Sequence, residues 1–169
     1  VADAADVTPR TMILSGFVGK AFNGVTLRNC RNTGNISFSS PALYMIGGFV
    51  GAVQEDDGLY TIADCHNTAD FDNAGSNSGW NFMGGIAGNN AGTLHNCRFE
   101  GVSSGASVVG GIAGTNLAAG VIESCTTTGS VYGAHFIGGI AGENHGIIAN
   151  CTNTSSVNTT VEQNDIDLS

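Results

Sequence analysis

Two prolines and a single lysine, Lys20, are all that a chain of 169 residues carries of either type. Five Lys+Arg stand against fourteen Asp+Glu, a net charge of −9, which makes nucleic acid and anionic membrane surfaces poor partners. Charged residues are 11% of the chain, well under the ~25% of an ordinary globular protein. No apolar run approaches the ~20 residues of a membrane span. Neither an initiator Met nor a charged-then-apolar secretion signal stands at Val1, so the sequence reads as a mature chain or an excised domain. Scarce proline beside 41% apolar residues argues against a disordered linker. The length suits one domain that buries roughly 70% of its unfolded surface.

What is present is glycine, 26 of them, arranged in a repeat. Met83-Gly84-Gly85-Ile86-Ala87-Gly88, Val109-Gly110-Gly111-Ile112-Ala113-Gly114 and Ile137-Gly138-Gly139-Ile140-Ala141-Gly142 each lead to a cysteine: Cys97, Cys125 and Cys151. Looser copies run from Leu14 to Cys30 and from Ile46 to Cys65. The intervals between cysteines shrink from 35 to 32, 28 and 26 residues, so the early copies carry the larger loops. A helix is excluded because glycine recurs every few residues, each costing ~1 kcal/mol there. Short apolar runs separated by Gly and Asn read instead as short strands and tight turns.

Each copy holds three strand-like pieces: one through Gly-Gly-Ile-Ala-Gly, one ending at the cysteine, and one around Ile36, Phe71, Val102, Val131 or Val157. None can bury its apolar side alone. Stacked copies can, which predicts an all-β, right-handed parallel β-helix (β-solenoid) of about five coils with three short strands per coil. The expected organisation is an N-terminal segment or cap at 1–12, coils at 13–45, 46–82, 83–108, 109–136 and 137–161, and an acidic tail at 162–169. The glycine pairs mark places where backbone comes close or takes positive φ. Asn90, Asn116 and Asn144, each two residues past the phrase, are placed to stack as an amide ladder. Cys30, Cys65, Cys97, Cys125 and Cys151 share one repeat position and should form a column of buried thiols.

The phrase resembles the GLUG-motif repeats of large bacterial surface proteins, including some that accompany immunoglobulin A-cleaving metallopeptidases. The matching residues are Gly85-Ile86-Ala87-Gly88, Gly111-Ile112-Ala113-Gly114 and Gly139-Ile140-Ala141-Gly142, with Asn96-Cys97, Ser124-Cys125 and Asn150-Cys151 behind them. The resemblance spans about residues 13–157 and implies an exported module, extracellular or on the cell surface. It brings no protease chemistry, because His-Glu-x-x-His is absent.

No catalytic, cofactor-binding or metal-binding set is expected. The cysteines lack paired Cys-x-x-Cys spacing, and His66, His95, His135 and His145 hold different repeat positions. The one dense acidic group is Glu55, Asp56 and Asp57 with Asp64, Asp70 and Asp72, and Arg31, His66 and Arg98 share the position after the cysteine. A cleaving β-helix would bring such groups together; separate solvent-facing ion pairs are the plainer outcome. Trp80, on a polar glycine-rich insertion, and Tyr44 are candidate contacts for a glycan or protein partner, together with Asp64, Asp70 and Asp72. Thr33, Thr68, Thr128 and Thr154 form a row that Glu100 interrupts, which spoils a flat ice-binding array. The function expected is a non-enzymatic structural or adhesion module, a rigid spacer. One alternative is a filament subunit stacked end to end, although Asp3, Asp6, Asp165 and Asp167 make both ends acidic. The other is a polysaccharide-binding or polysaccharide-cleaving β-helix.

Overall fold

In a computed structural model, residues 11–38, 44–53, 60–73, 80–105 and 107–159 are described, and all their regular structure is strand. The first coil holds β1 (Met12–Ser15), β2 (Val18–Ala21), β3 (Thr26–Arg28), β4 (Arg31–Asn32) and β5 (Ile36–Phe38). The second holds β6 (Tyr44–Gly47), β7 (Val50–Val53), β8 (Thr61–Ala63), β9 (His66–Asn67) and β10 (Phe71–Asn73). The third holds β11 (Asn81–Gly84), β12 (Ala87–Asn90), β13 (Thr93–His95), β14 (Arg98–Phe99) and β15 (Val102–Ser104). The fourth holds β16 (Val108–Gly110), β17 (Ala113–Asn116), β18 (Val121–Glu123), β19 (Thr126–Thr127) and β20 (Ser130–Gly133). The fifth holds β21 (Phe136–Gly138), β22 (Ala141–Asn144), β23 (Ile147–Ala149), β24 (Thr152–Asn153) and β25 (Ser156–Thr159). Each strand pairs in parallel with its counterparts above and below, giving five five-stranded sheets. The fold is a parallel β-solenoid of five coils.

Five strands per coil, not three, is a correction to the expectation. One of the three pieces is broken at a corner, and a two-residue strand beyond the cysteine is added between the other two. The first breaks at the glycine pair, where a Cβ on Gly85 would run into the Gly111 carbonyl and the Phe99 ring. Close approach, not positive φ, is the reason for glycine there. The second ends just before the cysteine, at a corner where Asn29, Asp64, Asn96, Ser124 and Asn150 all take φ between 49° and 56°. Asn and Asp tolerate this left-handed conformation better than other side chains do, because their short polar groups bond locally.

Parallel register turns the repeat into columns. Leu14, Ile46, Met83, Val109 and Ile137 lie one above another, as do Leu27, Ile62, Leu94, Ile122 and Ile148. On the third side the column is Ile36, Phe71, Ser103, Val131 and Val157. Val102, read as its third member, faces outward instead, and Ser103 is fully buried. Each residue of this column stands six past its cysteine, and Val102 stands five past. A one-residue step reverses the facing of a strand side chain. The third coil compensates: Phe99 fills the position that Asn67 holds below it, and stacks on Phe71 at 5.9 Å. A small residue at 103 leaves room for that ring.

These contacts give two stability predictions. The Ser103 hydroxyl is buried without a hydrogen-bond partner, so Ser103→Ala is expected to stabilise by up to about 1 kcal/mol. Ser103→Val is expected to destabilise by about 1–3 kcal/mol through crowding of Phe99. Opposite signs in urea unfolding check the reading. Ser124 is the one left-handed corner residue that is neither Asn nor Asp. Ser124→Asn should therefore stabilise by about 0.5–1 kcal/mol, raising the thermal midpoint by about 1–4 °C in a scanning calorimeter.

Candidate functional site

Inside the solenoid, polar groups of the repeat are consumed by one another. The Tyr60 hydroxyl donates to Asn90 Oδ1 at 2.7 Å, Asn90 Nδ2 to Asn116 Oδ1 at 2.7 Å, and Asn116 Nδ2 to Asn144 Oδ1 at 2.8 Å. Asn144 Nδ2 ends the chain on the Gly146 carbonyl at 3.2 Å. Every donor points the same way, toward the last coil. In the first two coils the equivalent residues are Ala21 and Val53, and the Tyr60 phenol starts the ladder in place of an amide. A second use of asparagine was not read from the sequence. Asn32 and Asn67, two past their cysteines, cross the interior to the carbonyls of Gly48 (3.3 Å) and Gly85 (2.6 Å).

All five cysteines are free thiols, with Cys65, Cys97 and Cys125 buried and Cys30 and Cys151 half-buried. Each Sγ donates to the carbonyl two residues before it, at 3.2–3.4 Å. Hydrogen bonds shared with Cys125 and Cys65, then burial, push the Cys97 thiol up. The bond from Cys97 draws Cys65 down, to about 7, and Cys125 down as well. Shifts within the column thus oppose one another. Tyr60 has no such opposing partner, and burial, then the nearby Cys97, raise its phenol well above 10. Nothing here presents a thiolate to a substrate. Among the described residues, no group of three or more His, Cys, Asp or Glu is placed to hold a metal ion.

On the outside, Arg31, His66 and Arg98 do lie in one row. Arg31 Nη1 reaches His66 Nδ1 at 3.5 Å, His66 Nε2 meets Glu100 at 2.8 Å, and Arg98 also pairs with Glu100. Asp64 belongs to the neighbouring face, held by Asn96 Nδ2 at 2.7 Å and Arg28 at 3.7 Å. Asp70 has other partners again: its Oδ1 accepts from the Val102 amide at 2.8 Å. Asp64, Asp70 and Arg31 therefore have separate partners. Glu55, Asp56 and Asp57 lie outside the described residues.

The surface that does gather side chains from several coils crosses β5, β10, β15 and β20. It is an open cleft of about 460 Å³ lined by Asn35, Ser37, Asp70, Phe71, Val102, Ser104 and Tyr132. Residues five and seven past each cysteine supply it: Asn35, Asp70 and Val102 in one row, Ser37, Ser104 and Tyr132 in the other. Asp72 stands on β10 opposite Ser37, at a position of the second row. Of the contacts expected from sequence, Asp70 lines the cleft by its side chain. Tyr44 is a correction: it is only 2% exposed and packs on Phe38 at 5.0 Å, so it serves the core and not a partner. Trp80 is 54% exposed and lies nearly parallel to His135, ring centroids 5.9 Å apart. It neither folds into the core nor stands alone. Asn35, Ser37, Ser104 and Tyr132 were missed, although strand alternation on either side of the sixth residue after the cysteine marks all four.

Removing the central amide tests the ladder. Asn116→Ala should cost about 3 kcal/mol and lower the thermal midpoint by about 6–12 °C, since Asn90 and Asn144 each lose a buried partner. For Tyr60 the sign runs as follows: a phenol whose folded pKa is raised stabilises the fold fully below the unfolded value of 10.0. Stability should fall as the pH rises past that value, because the unfolded phenol ionises first. Tyr60→Phe should flatten this alkaline limb in urea titrations across pH 8–11, while losing about 1 kcal/mol at neutral pH.

Comparison with protein-family models, curated proteins and solved structures finds no match to this chain.

Proposed function

We propose that this chain is a non-enzymatic repeat module of an extracellular or cell-surface protein, a rigid spacer whose outer faces contact a partner. The asparagine ladder carries the reading. The residues that recur from coil to coil are spent on holding coils together, so the repeated phrase has a mechanical role. The charged residues that vary between coils lie at outward positions, where Asp64, Asp70 and Arg31 are each tied to different neighbours. That division suits a scaffold that presents a surface and gives little to a reaction centre. The resemblance to GLUG-motif repeats supports the exported setting. Burial shields Cys65, Cys97 and Cys125 from oxidants, which makes free thiols in the middle coils compatible with such a setting.

A second reading, a filament subunit, is favoured by apolar side chains exposed on the outermost coils: Phe17 and Phe22 on the first, Phe136, Ile147 and Val157 on the last. A solenoid end is an unpaired sheet edge that another copy can continue. One measurement separates the two. In sedimentation velocity across a wide range of protein and salt concentration, the spacer reading expects a monomer throughout. Concentration-dependent growth, with fibres in negative stain, would sink it in favour of the filament.

A further inference from the structure

We propose that the cleft across β5, β10, β15 and β20 is a binding site for a neutral oligosaccharide laid across the strands. The assignment rests on the adhesive reading above and gives it a ligand class.

The lining is mixed, polar groups alternating with the apolar Phe71 and Val102 and the Tyr132 ring. Asn35, Ser37, Asp70 and Ser104 offer amide, hydroxyl and carboxylate groups, and Tyr132 closes the fourth-coil end. Sugar rings need that mixture: donors and acceptors around a rim of hydroxyls, and a flat apolar surface for the C–H face. Two internal bonds fix which atoms meet the ligand. Asn35 Oδ1 accepts from the Asp70 amide at 3.1 Å, which leaves its Nδ2 as the donor. Asp70 Oδ1 accepts from Val102, which leaves Oδ2 as the acceptor. Both side chains are thus positioned before a ligand arrives, and little ordering remains to be done on binding.

Other ligand classes fit less well. Peptides that bind by strand addition need an open sheet edge, whereas β10 and β15 are paired on both sides. Nucleic acids and anionic glycans would meet Asp70 and a net charge of −9. A drug-like apolar ligand wants an enclosed greasy pocket, and this cleft is open, with Asn35, Ser37, Asp70 and Ser104 interspersed among its apolar groups. From the first coil to the fourth is three steps of about 4.8 Å, or about 14 Å, the span of a short oligosaccharide. Three residues past Tyr132, His135 carries the stacked and half-exposed Trp80. A longer chain leaving the cleft would meet this second flat surface at the next corner.

The test uses the whole chain and a panel of neutral hexasaccharides: cellohexaose, xylohexaose, mannohexaose, laminarihexaose and chitohexaose. Amide resonances are followed in heteronuclear NMR, and affinity is measured by calorimetry. At least one sugar should bind, with shifts concentrated at Asn35, Asp70, Ser104 and Tyr132. Tyr132→Ala should weaken binding about tenfold and Tyr132→Phe should retain most of it, both with unchanged thermal midpoints. Asp70→Asn keeps the acceptor for Val102 and should weaken binding severalfold. The proposal is overturned if no sugar shifts these resonances at millimolar concentration, or if Tyr132→Ala binds as tightly as the parent. Shifts at the same residues from heparin or from an extended peptide, and not from the sugars, overturn it as well. None of these outcomes alters the sedimentation result, so the spacer reading stands or falls separately.

Discussion

Paired strand residues in this fold lie about 4.8 Å from their counterparts in the next coil. That constraint decides which residue types the repeat can use. Aliphatic groups stack without penalty and supply the columns through Ile46 and Leu94. An asparagine carries a donor and an acceptor on one side chain, so a column of them satisfies itself head to tail, as Asn90, Asn116 and Asn144 do. A repeated charge would face its own copy. Where charged side chains do stand near one another an acid is set beside them: Glu123 stands above His95, and Glu100 pairs with both His66 and Arg98. The low charge content is a consequence of the architecture.

The same constraint makes the interior high in stakes. Burial removes water from the ladder at Asn90 and Asn116, which strengthens the amide bonds there and raises the cost of any that is missing. Tyr60 shows how the ladder begins without an orphan. Where the first two coils lose the asparagine, a phenol from the following segment reaches in to Asn90. Coil three shows a different accommodation, with Phe99 and Ser103 exchanging bulk between two positions that are polar and apolar in its neighbours. The packing is local, coil by coil, while the backbone pairing stays constant.

Much of this was legible beforehand. Parallel stacking, the number of coils, the thiol column and the position of the amide ladder all follow from recurrence at fixed offsets. Those offsets are measured from the cysteine, which is why Ile36, Phe71, Val131 and Val157 were placed correctly. Val102 misled because hydrophobicity was weighed above spacing at that one position. Tyr44 misled because an aromatic beside an insertion looks like a contact, whereas its location at the start of β6 turns it onto Phe38. Five strands in place of three could not be read from apolar runs, since one break comes from close backbone approach at the glycine pair and the other from backbone conformation at Asn29, Asp64, Asn96, Ser124 and Asn150.

Sequence alone determined the stacking unit, because a repeat that cannot bury its apolar side singly has to bury it against its copies. It also determined which residues face inward, through alternation about a fixed reference. Only the tertiary structure decided the site. Asn35, Asp70, Ser104 and Tyr132 are separated by about one repeat each, and what makes them neighbours is coil-on-coil register, which carries them onto one face. The structure likewise separated Asp64 from Asp70. Six residues apart in the chain, they fall on different sides of a corner, because the left-handed turn at Asp64 redirects the backbone between them.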